Sequence, residues 1–208
     1  MFPERLAQGY RAFLGGRFVS ERARYQQLAG LGQKPSIMVM GCVDSRVSPE
    51  VIFDAAPGEI LVARNVANLV PRYEPSGGQH GASAALEFAV RALKVRHIVV
   101  LGHAFCGGIK AFASESEPLT ESDFIGKWMS QIAPAADAIT TPKADWDAYL
   151  HQLEFASVEL SLRNLMSFPF VQAAVEKGGL SLHGAYFGVA SGKLLVRNDA
   201  TGAFEEVG

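Results

Sequence analysis

Five side chains able to do chemistry fall in two short stretches of this chain. In GCVDSRV, residues 41–47, a thiol, a carboxylate and a guanidinium occupy every second position as Cys42, Asp44 and Arg46. In GHAFCGG, residues 102–108, His103 and Cys106 share one loop. An imidazole and a thiolate that close together can converge on one ion, and Cys42 can add a third ligand if its loop lies alongside. Two sulfurs and one nitrogen suit zinc, and three protein ligands leave a fourth position for chemistry. Two thiolates neutralise the ion's double charge and weaken its power to acidify water, so a positioned helper is valuable. Asp44 is the candidate, with Arg46 holding its carboxylate ionised and oriented. Each residue alone has a plainer reading: a satisfied histidine, a loop ion pair, glycines serving a turn. Their joint placement outweighs those readings.

That placement depends on the surrounding elements. The apolar run SIMVM at 36–40 reads as a buried strand ending at Cys42, with a helix start at Ser48, Pro49 and Glu50. EILVA at 59–63 and HIVVLG at 97–102 are two further apolar strands, and ASAALEFAVRAL at 82–93 is a helix between them. Gly107 and Gly108 open another helix toward Ala113. Strands alternating with helices predict a parallel α/β sheet, in which ligands bind beyond the carboxyl ends of the strands. Both cysteine loops fall there.

Residues 1–32 carry Leu6, Tyr10, Phe13 and Leu14 at helical spacing and read as an arm of one or two helices laid on the body or on a neighbouring subunit. The acidic stretch 114–123 reads as a solvated loop. DWDAYLHQLEFASVELSLRNLMSF at 145–168 reads as a long helix, with Trp146, Tyr149, Leu150, Leu153 and Leu160 as core contacts, and Pro169 begins another. LSLHGAYFGVASGKLLVRN, 180–198, reads as a strand and a hairpin partner turning at Ser191 and Gly192. The expected fold is α/β: a mostly parallel central sheet flanked by helices, with an N-terminal helical arm (1–32) and a C-terminal antiparallel edge strand. No linker or repeat divides it, so 1–208 reads as one domain with a zinc-binding body at 33–208.

Composition narrows the function. Nineteen Lys and Arg against 21 Asp and Glu give a net charge of −2 with no long basic run, which argues against nucleic acid. The first residues lack the continuous apolar core of a signal peptide and no stretch reaches membrane-spanning length, so a soluble cytoplasmic protein is expected. Two cysteines cannot build a disulfide framework, and without C-x-x-C they do not read as a redox pair.

CVDSR at 42–46 with HAFC at 103–106, joined by RNVANLV at 64–70, resembles the β-class carbonic anhydrases. The resemblance runs from about Gln33 to Lys110 and more weakly through LSLHGAYFGV. It implies a carbonate dehydratase, a zinc lyase that reversibly hydrates carbon dioxide to bicarbonate and a proton by zinc-hydroxide attack. One zinc per chain would be held by Cys42, His103 and Cys106, with Asp44 and Arg46 as the catalytic dyad. It further implies substrate contacts from Gln33, Val66, Phe88 and the backbone near Gly107, and a homodimer or higher even-numbered homo-oligomer.

The family has two regulatory forms. In one, Asp44 swings onto zinc as a fourth ligand and bicarbonate stabilises that closed state through a Trp, Arg and Tyr trio. Here Val39 and Phe187 stand at the Trp and Tyr positions beside Arg64, with Tyr186 adjoining Phe187, and Gln33 matches the open, plant-like type I form. That form is the expectation. His80, His97, His151 and His183 are candidate proton shuttles with no spacing that singles one out. Alternatives on the same scaffold are a carbonyl sulfide or carbon disulfide hydrolase and a non-catalytic zinc protein.

Overall fold

The computed structural model describes residues 1–75, 81–114 and 124–207. His80 and most of the acidic stretch, 115–123, lie outside the described residues. A six-stranded sheet forms the frame, in the order β2-β1-β3-β4-β5-β6. Its strands are β1 (Ile37–Cys42), β2 (Ile60–Asn65), β3 (His97–His103), β4 (Ser181–Phe187), β5 (Leu194–Arg197) and β6 (Phe204–Glu206). The first four run parallel, and β5 and β6 continue the sheet antiparallel. β1 and β3 are hydrogen-bonded neighbours in register from Ile37–His97 to Gly41–Leu101, which brings the ends of both cysteine-bearing segments side by side.

The strands read as continuous apolar runs because helices cover them. Counting along the chain, the helices are α1 (Glu4–Gly15), α2 (Arg17–Leu31), α3 (Pro49–Ile52), α4 (Gly81–Glu87), α5 (Gly107–Ala113), α6 (Phe124–Met129), α7 (Ala133–Ala136), α8 (Trp146–Leu165) and α9 (Pro169–Glu176). One sheet face, through Met38, Met40, Ile98 and Val100, packs on Leu86 of α4, Val158 and Leu165 of α8 and Val171 of α9. Each such fully buried side chain contributes about 1.5–3 kcal/mol over its exposed state. The arm differs: neither α1 nor α2 buries a residue. It touches the body where Arg24 Nε donates to the Pro57 carbonyl at 2.5 Å and where Leu28 closes over Gly58.

Three details depart from the expected elements. The helix read at 82–93 is α4 followed by a π-helical turn at Phe88–Leu93, ended by Lys94 in the left-handed region at φ 57°. Two antiparallel strands, not one, finish the sheet, because the chain turns again at Gly202 and adds the three-residue β6. The pair Gly107 and Gly108 serves no left-handed turn, since neither has positive φ. Gly108 is required by close approach instead: a Cβ there would lie 2.7 Å from Val66 Cγ1.

Candidate metal centre

The site begins where β1 and β3 end. Cys42 is the last residue of β1 and His103 the last of β3, and Cys106 caps the start of α5. One ligand atom from each lies within 4.8 Å of the others, and all three residues are buried. Backbone contacts hold the 103–106 loop in shape. Ala104 N–H donates to the Phe187 carbonyl at 3.0 Å, Arg46 Nη2 donates to the Phe105 carbonyl at 3.0 Å, and Phe105 sits in the left-handed region at φ 60°.

A third segment closes on Cys42 from the side. The Asn65 side chain brackets the Leu69 backbone at both its N–H and its carbonyl, each at 2.8 Å, pinching residues 65–69 into a turn. Ala67 takes a left-handed conformation there, φ 63°, and its N–H donates to Cys42 Sγ at 3.3 Å. Trp128 Nε1 donates to the Val66 carbonyl at 2.8 Å and fixes the turn from outside.

The charges are arranged as a set. The neighbouring Cys106 thiol draws the Cys42 pKa below the ordinary thiol range against the effect of burial, helped by His103 and by backbone N–H groups. Cys106 is pushed above the ordinary thiol range by its bond to Cys42 and by burial. Metal uptake requires thiolate sulfurs, so affinity at this site depends on pH. Asp44 accepts from Arg46 Nε at 2.9 Å, Arg46 Nη2 at 2.7 Å and the Arg46 backbone N–H at 3.0 Å. The Arg46 side chain is the chief reason the Asp44 carboxyl titrates well below the usual carboxylate range. Asp44 Oδ2 lies 4.0 Å from His103 Nε2, so an ionised acceptor faces the ligand cluster.

Arg64 pins the same loop, donating through Nε to the Cys42 carbonyl and through Nη2 to the Asp44 carbonyl, both at 2.6 Å.

The donor set fits zinc on an observation beyond ligand type. His103 Nδ1 donates to the Ala104 carbonyl at 2.9 Å, which fixes the tautomer and leaves the lone pair on Nε2. That Nε2 is buried with no hydrogen-bond partner among the described residues. Leaving a polar atom orphaned costs roughly 1–3 kcal/mol, which an ion held by Cys42, His103 and Cys106 would remove.

The other expected residues divide. Val66 lines a cavity of about 430 Å³ with Val43, Ala63, Arg64, Asn65, Ala82 and Trp128. Gly107 is exposed with open space where a Cβ would stand. Gln33 is exposed before the amino end of β1, while Cys42 stands at the carboxyl end, roughly 17 Å along the strand. Phe88 is half exposed and lines a separate surface groove with Ala84, Glu87 and Arg91. One chain therefore does not bring Gln33 or Phe88 to the ligand cluster.

Strand alternation separates the neighbouring pair on β4: Phe187 packs with Val39 and Leu101, whereas Tyr186 points the other way and its hydroxyl donates to Glu154 Oε2 at 2.6 Å. Sequence reasoning missed Asn65, Trp128 and Glu154. Glu154 carried a signal, a carboxylate beside Leu153 and four before Val158 on the stripe that α8 buries.

Among known proteins, the carbonic anhydrase family profile matches residues 37–194. Beta carbonic anhydrase 5, chloroplastic, of Arabidopsis thaliana is 35% identical over 184 residues, covering 88% of this chain. This chain spans only 60% of that relative's length. The solved β-carbonic anhydrase CcaA superposes with a TM-score of 0.86 at 27% identity, covering 99% of this chain and 92% of that one. A tetrameric β-carbonic anhydrase of Sordaria macrospora superposes with a TM-score of 0.79 at 28% identity, covering 97% of each chain. With the family profile spanning most of the sequence and the fold shared end to end, this chain belongs to the β-class carbonic anhydrases.

Proposed function

We propose that this chain is a zinc-dependent carbonic anhydrase that hydrates carbon dioxide reversibly to bicarbonate and a proton. The observation that carries the reading is the orphaned His103 Nε2 between two sulfurs, faced at 4.0 Å by a carboxylate that Arg46 keeps ionised. Zinc held by Cys42, His103 and Cys106 would supply the Lewis acidity that activates water near neutral pH. Asp44 accepts that water's proton in a hydrogen bond and so aims its lone pair at the substrate carbon. Arg46 fixes the direction of the Asp44 carboxylate, and Arg64 fixes the backbone that carries it. Val66, whose side chain meets Gly108 at the start of α5, offers an apolar surface to a small substrate, and the N–H groups opening α5 at Gly107 suit the oxygens of bicarbonate.

The open, type I form is part of this proposal. Its supports are the bidentate Asp44 to Arg46 pairing and the chemistry of the regulatory positions, where Val39 and Phe187 offer no hydrogen-bond donor beside Arg64. Gln33 and Phe88 act on substrate only if a second copy presents them, which favours a homodimer or a higher even-numbered assembly, as does the exposed apolar arm. A cytoplasmic location is also proposed; its supports are two unpaired cysteines and the absence, among the described residues, of a helix long and apolar enough to cross a membrane. Metal analysis with stopped-flow hydration of carbon dioxide tests the reading. One zinc per chain with rapid hydration is expected, and a zinc-loaded protein without hydration activity overturns it.

A further inference from the structure

Glu154 is a buried titratable group that the chemistry above does not use. It is 5% exposed, and the partners its oxygens meet are a backbone N–H and a phenol hydroxyl. A buried carboxylate there is an expensive choice for α8, whose packing rests on apolar neighbours such as Leu153, Val158 and Leu165. Its two oxygens are nevertheless both occupied. Oε1 accepts the backbone N–H of Cys106 at 3.1 Å, and Oε2 accepts the Tyr186 hydroxyl at 2.6 Å.

The fold delivers Glu154 to that place deliberately. Gly102, next to His103, lets α8 approach so closely that a Cβ would lie 2.6 Å from Val158 Cγ2. Glu154 stands one turn before Val158 on the same helix face, so the close approach sets its carboxylate under the Cys106 N–H. Tyr186 stacks on Phe155 with ring centroids 4.3 Å apart, which fixes the hydroxyl. Burial and the Glu154 carboxylate push the phenol well above its ordinary range, so it remains a donor.

We propose that Glu154, braced by Tyr186, is a positioning residue for the metal ligand Cys106: its carboxylate holds the ligand's backbone and so sets how firmly the site retains zinc. The proposal rests on the zinc-site reading above. It assigns Glu154 no contact with substrate or metal. Outer partners that orient a ligand typically govern metal affinity by about 10–100-fold.

The test compares zinc affinity by chelator competition in the wild type, Glu154→Ala, Glu154→Gln and Tyr186→Phe, with metal-free melting measured alongside. Wild-type binding of one zinc per chain checks the underlying reading separately. Glu154→Ala is expected to lower zinc affinity by about 10–100-fold and to shift the thiolate-to-cobalt charge-transfer band of the cobalt-loaded protein. Glu154→Gln keeps an acceptor for Cys106 and is expected to hold affinity within about threefold, a rescue that loss of packing alone does not predict. Tyr186→Phe is expected to fall between the two, and it decides the matter if Glu154→Ala does not fold. Unchanged affinity in Glu154→Ala or, failing that variant, in Tyr186→Phe overturns the proposal. So does a loss in Glu154→Gln equal to that in Glu154→Ala.

Discussion

The parallel strands carry histidines at both ends, and the two ends treat them in opposite ways. At the carboxyl end, His103 is buried, its Nδ1 committed to Ala104 and its Nε2 without a hydrogen-bond partner among the described residues. Toward the amino end, His97 Nδ1 and His183 Nε2 lie 3.2 Å apart on adjacent strands β3 and β4, half-buried and satisfied by each other. The residue type is the same, so the difference lies in what completes each nitrogen. His97 and His183 complete one another within the chain. His103 Nε2 has no such partner among the described residues, and its ring stands with two sulfurs in a donor set that suits zinc.

The largest expected effect breaks this comparison directly. His103→Ala should abolish stoichiometric zinc binding and reduce hydration by at least 1000-fold, on the order seen when a positioned catalytic group is lost, while His97→Gln should leave both unchanged. Loss of zinc from His97→Gln, by metal analysis, would erase the contrast between the two ends. Next in size, Asp44→Asn should keep zinc but lower kcat by about 100-fold or more, because the amide no longer offers an acceptor-only group to the reacting water. Full activity with bound metal would remove Asp44 from the mechanism.

The smallest effect sharpens the amino end. Burial, then the neighbouring His97, lower the His183 pKa. A histidine lowered on folding binds fewer protons folded than unfolded, so stability rises as pH rises toward and past the ordinary value of about 6.5 and is lost on acidification. His183→Asn should flatten that part of the stability profile, measured by denaturant midpoints from pH 5 to 8. A wild-type slope that survives the substitution would assign it to other groups.

The carboxyl end was legible in the sequence because two constraints coincide there. A parallel strand announces itself as an apolar run, and a ligand must follow its end, so Cys42, His103 and Cys106 could be placed before any coordinate was known. Asp44 and Arg46 followed from alternation along one short loop. Gln33 and Phe88 came from resemblance alone, and the folded chain leaves both exposed and away from the cluster. The π-helical turn after Glu87 was not legible, since its residues are ordinary helix formers and the change lies only in hydrogen-bond spacing. β6 is three residues, Phe204 to Glu206, too short to show alternation. Asn65 acts through backbone N–H and carbonyl groups that no side-chain pattern reveals, whereas Glu154 shows as a carboxylate on the buried stripe of α8 while its backbone partner at Cys106 does not.

The pairing of β1 with β3 has a further consequence for the order of events. Cys42 and His103 are about sixty residues apart in the chain, and bringing such ends together from a disordered state carries a loop-closure entropy that grows with the logarithm of length. Here the sheet performs that closure through backbone hydrogen bonds and the apolar core beneath them. Backbone pairing and the apolar core thus share with the ion the cost of gathering its ligands.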